Sequence, residues 1–316
     1  MLRTFISKRA PPVASACDRI YHQPDMRSLR WWALAGLTGL LAPLNAQENL
    51  NVLTVTAGSG DYLWGAGGTL AALALDGYQV YVAQFGNDEK AAPAGLGPAE
   101  ARWLNVEEAQ EAAELLGFRD TIYLSHKSGE LGHISSTEMR EQLFALIRHL
   151  RPVKIFLPDQ YVHYQADWDQ YWVGKMAEEA WGYSGGAMFS PQLARMGLKP
   201  YSVPEVYFYA AQRPYRPGEG GEEASRFIGI DIARTILAKR FAIGMLRTRN
   251  RALALEVGLP LQPGDEEAPR RLAASLVEEL ARAIGRRHGF EYGEEFNYVG
   301  PREPIPPYVL ERAVKK

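Results

Sequence analysis

The stretch Asn51-Val52-Leu53-Thr54-Val55-Thr56-Ala57-Gly58-Ser59-Gly60-Asp61-Tyr62-Leu63-Trp64-Gly65-Ala66-Gly67-Gly68-Thr69-Leu70-Ala71-Ala72-Leu73-Ala74-Leu75-Asp76-Gly77 decides the fold. A β-branched apolar run passes into a glycine-rich turn, then into an Ala/Leu segment closed by Gly77, which predicts strand, loop, helix and helix stop. In an open parallel sheet ligands bind at the carboxyl ends of the strands, so the turn at Gly58–Asp61 is the first candidate site. Gly58 and Gly60 suit a tight turn, and their successive N–H groups suit an anion. Asp61, just ahead of the helix, also reads as its N-cap.

Working outward, strand and helix keep alternating. Residues 78–85, 121–124 and 153–158 read as strands, and residues 99–116 and 135–150 as the helices between them. This is the pattern of a three-layer α/β/α, Rossmann-like fold with a mostly parallel sheet covered on both faces. Beyond the fourth strand comes the loop Asp159-Gln160-Tyr161-Val162-His163-Tyr164-Gln165-Ala166-Asp167-Trp168-Asp169-Gln170, and then a helix over 171–181. Residues 203–209 and 227–232 are later strands. One long helix is expected over 233–255 and an amphipathic one over 268–287, ahead of an aromatic, proline-rich tail over 289–316. The run Gly65-Ala66-Gly67-Gly68 lacks the Gly-x-Gly-x-x-Gly spacing and excludes dinucleotide binding as the main reading.

The 316 residues are 47% hydrophobic and carry a net charge of −2, enough for one large core and without the basic stripe of a nucleic-acid binder. The single cysteine, Cys17, lies near the start of the chain and leaves the folded part no thiol. From Met26 to Ala46 a basic start, an apolar run and small residues before Gln47 read as a cleaved secretory signal. Its apolar run, Trp31 to Leu44, is about 14 residues, short of the roughly 20 that cross a bilayer. The domain expectation is therefore an extension and signal over 1–46 and a single α/β domain over 47–316. The protein is expected to be exported, to the periplasm or beyond, and not to span the membrane once the signal is cleaved.

The first stretch resembles the PIG-L/LmbE-like family of zinc-dependent N-deacetylases, which reads Ala-His-Pro-Asp-Asp-Glu before Leu-Gly-x-Gly-Gly-Thr-Leu. Here Ala57, Asp61 and Gly65-Ala66-Gly67-Gly68-Thr69-Leu70 keep the scaffold half. The family's His falls on Gly58, its Pro on Ser59, its first Asp on Gly60 and its Glu on Tyr62. In the later His-Pro-Asp-His segment the first His falls on Asp167, the Asp on Asp169 and the ligand His on Gln170. Lys239 keeps register with a family lysine, while a family His-x-Ser-Gln falls on Leu246 to Arg249 and is absent. The resemblance covers residues 50–250 and implies hydrolysis of an N-acetyl group on a glucosamine conjugate.

Mapped through the resemblance, the zinc ligands would be Gly58, Asp61 and Gln170, and the proton acceptor Gly60. Only Asp61 retains the needed chemistry, because zinc takes imidazole, thiolate and carboxylate in preference to an amide oxygen. No catalytic residue and no cofactor are therefore expected, and the leading reading is a non-catalytic relative that binds an amino sugar or glycoconjugate. Gly58, Ser59, Gly60, Tyr164, Trp168 and Gln170 are its candidate binding residues, with Tyr161, Tyr171 and Trp172 adding ring surface. One alternative is a divergent zinc hydrolase with ligands drawn from Asp61, His163, Asp167 and Asp169. Another is a structural partner of an active paralogue. His126 and His133 read as solvated loop residues.

Overall fold

The structure, a computed structural model, describes residues 49–163, 167–211, 213–216 and 227–301. The signal expected over 26–46, the candidate Tyr164 and the tail after Pro301 lie outside the described residues.

The elements run β1 (Asn51–Thr56), α1 (Asp61–Leu75), β2 (Gln79–Gly86), α2 (Pro98–Leu115), β3 (Asp120–His126), α3 (Ser136–Leu150), β4 (Lys154–Pro158), α4 (Gln160–His163) and α5 (Trp168–Tyr183). They continue with α6 (Pro191–Arg195), β5 (Glu205–Tyr209), β6 (Phe227–Asp231), α7 (Ile236–Met245), α8 (Arg247–Glu256), α9 (Glu267–His288) and β7 (Gly293–Val299). The sheet order is β3-β2-β1-β4-β5-β7-β6. The first five strands are parallel, and β7 is antiparallel to both neighbours.

Alternation along β1 separates the two faces of the sheet: Val52 joins a core with α1, α2, α7 and α9, and Leu53 and Val55 join one with α3 and α5. The expected three-layer α/β/α fold is thus present. None of the described helices is long and apolar enough to cross a membrane.

Three local expectations need correction. The tail over 289–316 contains a strand: β7 inserts between β5 and β6, and Glu294 and Glu295 masked it in the sequence. Both glutamates are buried because each has a cationic partner, Lys239 for Glu294 and Arg287 for Glu295. The helix expected over 233–255 is broken at Leu246, whose φ of −77° and ψ of 60° are not helical. The break is satisfied on both sides. Asn250 Nδ2 donates to the Ile243 carbonyl (2.8 Å), and the buried Glu108 of α2 accepts from Thr248 N–H (2.8 Å) and Oγ1 (2.9 Å). Lastly, Gly60, not Asp61, occupies the N-cap position of α1.

The Gly65–Gly68 run lies inside α1 and serves close packing. A Cβ on Gly65 would stand 2.7 Å from Tyr209 Cδ2, and one on Gly68 2.9 Å from Ile232 Cβ. The N–H groups of Gly68 and Thr69 both donate to the Glu294 carboxylate at 2.8 Å, and Lys239 Nζ closes the cluster on Glu294 at 2.6 Å and on the Trp64 carbonyl at 2.7 Å. This cluster fastens α1 to α7 and β7. Lys239→Met leaves Glu294 charged and unpaired in the core and is expected to cost about 3 kcal/mol, read as a lower urea midpoint. Glu294→Gln keeps an acceptor for one N–H and should cost less.

Candidate functional site

The site lies where strand order reverses, at the carboxyl end of β1 between β2 and β4, the usual ligand crevice of such sheets. Each neighbouring strand end supplies a side chain. β1 leads to Asp61, β2 to Asp88, β4 to His163, and β5 to Arg213; α5 brings Asp167, Asp169 and Gln170. Two adjoining cavities open here. One, of about 430 Å³, is lined by Gly58, Asp61, Asp88, Lys90, Trp168 and Arg249 among others. The other, of about 270 Å³, is lined by Asp61, Val162, His163, Asp167, Gln170 and Arg213 with Ala210 and Ala211.

Arg249 of α8 holds the centre. Its Nη2 donates to Asp61 Oδ1 at 3.1 Å, and its Nη1 stands 3.6 Å from Asp88 Oδ1 and 3.4 Å from Ser59 Oγ. The second oxygens are engaged as well: Asp61 Oδ2 accepts Gly58 N–H at 2.8 Å, and Asp88 Oδ2 accepts Ser59 N–H at 2.7 Å and Gln84 Nε2 at 3.1 Å. Asp88 has the left-handed φ of 54°, a strain held by Ser128 Oγ on its N–H and Asn105 Nδ2 on its carbonyl. Burial pulls the Arg249 guanidinium down, but Asp61 and Asp88 outweigh it and its pKa is raised. Burial pushes the Asp88 carboxyl above the usual range even against Arg249.

The remaining candidates divide by environment. Asp167 caps α5, with Oδ1 accepting the N–H groups of Asp169 (2.9 Å) and Gln170 (3.2 Å). Desolvation in the cleft and the charge of Asp61 raise its pKa. Asp169 accepts from Gly129 N–H and Leu131 N–H, tying α5 to the 3-10 turn at Leu131–His133. His163 is buried, with Nε2 3.4 Å from the Tyr209 carbonyl, and burial lowers its pKa from the ordinary 6.5. Gln170 is 2% exposed, and among the described residues its Oε1 has no hydrogen-bond partner. Gly58, Ser59 and Gly60 are buried behind Arg249, whereas Trp168 is 65% exposed at the mouth, edge-on to Tyr171. His126, read as solvated, instead contacts Gln142 Oε1 at 3.0 Å and stacks on Phe85.

Comparison with known proteins fits this architecture. Residues 50–171 match the sequence profile of PIG-L, described as GlcNAc-PI de-N-acetylase. Over these residues the chain resembles the PIG-L, LmbE-like family. A diacetylchitobiose deacetylase of Thermococcus kodakarensis is 27% identical over 164 residues, which are 52% of this chain and 61% of that protein. The chain thus aligns with less than two thirds of that relative's length. The N,N'-diacetylchitobiose deacetylase of Pyrococcus horikoshii superposes with a TM-score of 0.66 at 22% identity, covering 83% of this chain and 89% of that one. The 4-carboxy-2-hydroxymuconate hydratase of Pseudomonas putida KT2440 superposes with a TM-score of 0.60 at 20% identity, covering 81% and 98%. At these identities the structural likeness establishes the fold alone, and a fold that also carries a hydratase does not fix the reaction.

The zinc that a PIG-L resemblance implies does not fit these residues. A zinc site needs about three converging imidazole, thiolate or carboxylate donors. Among the described residues no three His, Cys, Asp or Glu side chains are placed to hold a metal, so the set Asp61, His163, Asp167 and Asp169 does not assemble. The space is also taken. A Cβ at Gly58 would stand 2.8 Å from Arg249 Nη1 and from Asp88 Oδ1, and one at Gly60 would stand 2.9 Å from Leu246 Cδ1 and 3.4 Å from Arg249 Nε. The volume vacated at both positions is filled by the turn that begins α8.

Asp88 and Arg249 escaped the sequence reading. Asp88 lies in the loop after β2, at the sheet edge already marked as the site, and that position was its available signal. Arg249 sits inside what reads as one long helix, and no spacing rule foretold the break that aims it. Arg249→Leu leaves Asp61 and Asp88 buried without their cation and is expected to destabilise the domain by about 3 kcal/mol in urea unfolding. His163 is kept neutral in the fold, whereas the unfolded chain takes up its proton below pH 6.5. Its stabilising share is therefore present above 6.5 and lost as pH falls. Comparing wild type with His163→Asn across that window should show a shallower loss of stability in the variant.

Proposed function

We propose that this chain is a non-catalytic, glycoconjugate-binding member of the PIG-L family, with the Arg249 guanidinium serving as the resident cation of its cleft. The carrying observation is the Arg249–Asp61 ion pair at 3.1 Å, formed by the one carboxylate retained from the family motif. Hydrolysis of an amide needs an activated water and a carboxylate free to take its proton. Gly60 has no side chain for that task. Both oxygens of Asp61 are engaged by Gly58 N–H and Arg249, and Asp88 is held by Ser59, Gln84 and Arg249. Gly60, Asp61 and Asp88 thus set the shape and charge of the cleft and do not supply the proton acceptor.

The ligand class rests on the exposed ring of Trp168 at the mouth, beside carboxylates and an amide. The name of the Thermococcus relative points the same way, to an amino-sugar oligosaccharide. The leader from Met26 to Ala46 supports export, so that the glycoconjugate is met outside the cytoplasm as a single α/β domain over 47–316. A divergent hydrolase using Asp61, His163 and Asp167 has one supporting observation, that all three line the same cavity.

The two readings part on metal and turnover. Protein purified without chelator should contain zinc far below one per chain and release no acetate from diacetylchitobiose above the level of an Asp61→Ala variant. Stoichiometric zinc together with acetate release abolished by Asp61→Ala would establish the hydrolase instead.

A further inference from the structure

We propose that the loop and short helix following α5 form a docking surface for an anionic lipid bilayer. From Ala180 to Pro204 the chain contains no Asp or Glu and two cations, Arg195 and Lys199. The same segment carries a concentration of exposed apolar side chains: Met188 is 88% exposed and Met196 75%, and Tyr183 and Phe189 are exposed beside them in the sequence. The Tyr183 and Phe189 rings stack at 4.7 Å, so the apolar groups stand together at the tip. Large apolar groups left in water in this number mark a contact surface.

The tip is held firmly in place. Arg148 of α3 is buried beneath it and donates to four of its carbonyls: Nε to Ser184 (3.1 Å), Nη1 to Ser190 (3.2 Å), and Nη2 to Gly186 (3.2 Å) and Phe189 (2.7 Å). Ser190 has the left-handed φ of 47°, and Glu141 accepts from its Oγ (3.3 Å) and from Gln192 Nε2 (2.6 Å). Arg151 joins the same edge, stacked 4.4 Å from the Tyr201 ring, while Tyr201 N–H donates to the Ser184 carbonyl. Among the described residues Arg151, Arg195 and Lys199 are exposed and form no ion pair, whereas Glu179 of α5 is paired with Arg140.

Unpaired cations around a protruding apolar tip match an anionic membrane interface, where rings and thioethers enter the headgroup boundary and Arg and Lys reach the lipid phosphates. A second copy of this chain fits less well, since a two-fold contact would set these cations against themselves. The cleft stays free. α5 starts beside it at Trp168 and runs 16 residues, about 24 Å at 1.5 Å per residue, to Tyr183, and Tyr201 Oη donates to the Pro152 carbonyl just ahead of β4. The tip thus lies at the amino edge of the sheet, opposite the cleft.

The test uses the full chain with Cys17→Ser and Ala187→Cys, a polarity-sensitive dye being coupled to that thiol. The stretch Trp31–Leu44 is common to every sample, so the signal is read at the tip and not by pelleting with vesicles. On titration with vesicles of phosphatidylcholine and phosphatidylglycerol in equal parts the dye should brighten and shift to the blue, and pure phosphatidylcholine should require about tenfold more lipid. Arg195→Gln and Lys199→Gln should each raise the lipid required about fivefold, and Met188→Ser with Phe189→Ser should abolish the shift. All four side chains replaced are exposed, so thermal unfolding should stay near that of the parent. No shift with anionic vesicles, an equal response to neutral ones, or a shift that survives both sets of substitutions overturns the proposal. A blue shift that grows with protein concentration in the absence of lipid also overturns it, and assigns the tip to a second copy. None of these outcomes bears on the cleft.

Discussion

One guanidinium between two carboxylates organises this end of the molecule. Asp61 and Asp88 leave neighbouring parallel strands, β1 and β2, and their side chains meet in a crevice where like charges repel strongly. Two such carboxylates persist close together only with a cation between them, and Arg249 is that cation. In a protein interior a metal ion and an arginine answer the same electrostatic need, but only the metal keeps an open position where water becomes a nucleophile. The guanidinium is planar, permanently charged and presents only donors, so it satisfies the carboxylates.

Delivering that charge is what the break in the C-terminal helices accomplishes. A continuous helix through Leu246 would carry Arg249 on a different azimuth. Glu108 reaches from α2 to the start of α8, and Asn250 turns back to the end of α7, so the broken backbone groups are met from both sides. Leu246, at the break, fills the space beside Gly60. The Lys239–Glu294 pair then holds α7 against α1, the helix on which Asp61 sits. The site's ion pair ties α8 to that same helix.

The fold was legible because its signals are local and periodic. β1 to β4 and the helices among them show in apolar alternation, in helix stops at Gly77 and Gly117, and in Pro158 closing β4. β7 was not legible, since Glu294 and Glu295 read as solvent-facing until their partners Lys239, Arg287 and His288 are seen in space. The candidate site was half legible. A sequence motif reports which side chains are missing, and Gly58, Gly60 and Gln170 announce that well. It does not report what fills the vacated volume, because Arg249 arrives from nearly two hundred residues away through a helix break that propensity does not encode. Asp167 and Asp169 read in the sequence as candidate relocated ligands, and their part in capping α5 and tying it to the turn at Leu131 required the hydrogen bonds themselves.

The proposal that Arg249 serves as the resident cation of the cleft in place of a metal ion is tested most directly by anomalous diffraction at the zinc edge from crystals grown with zinc. The account predicts guanidinium density bridging Asp61 and Asp88 and no anomalous peak between them. A strong peak at that point, with Arg249 swung away and Asp61 turned toward the ion, would contradict it.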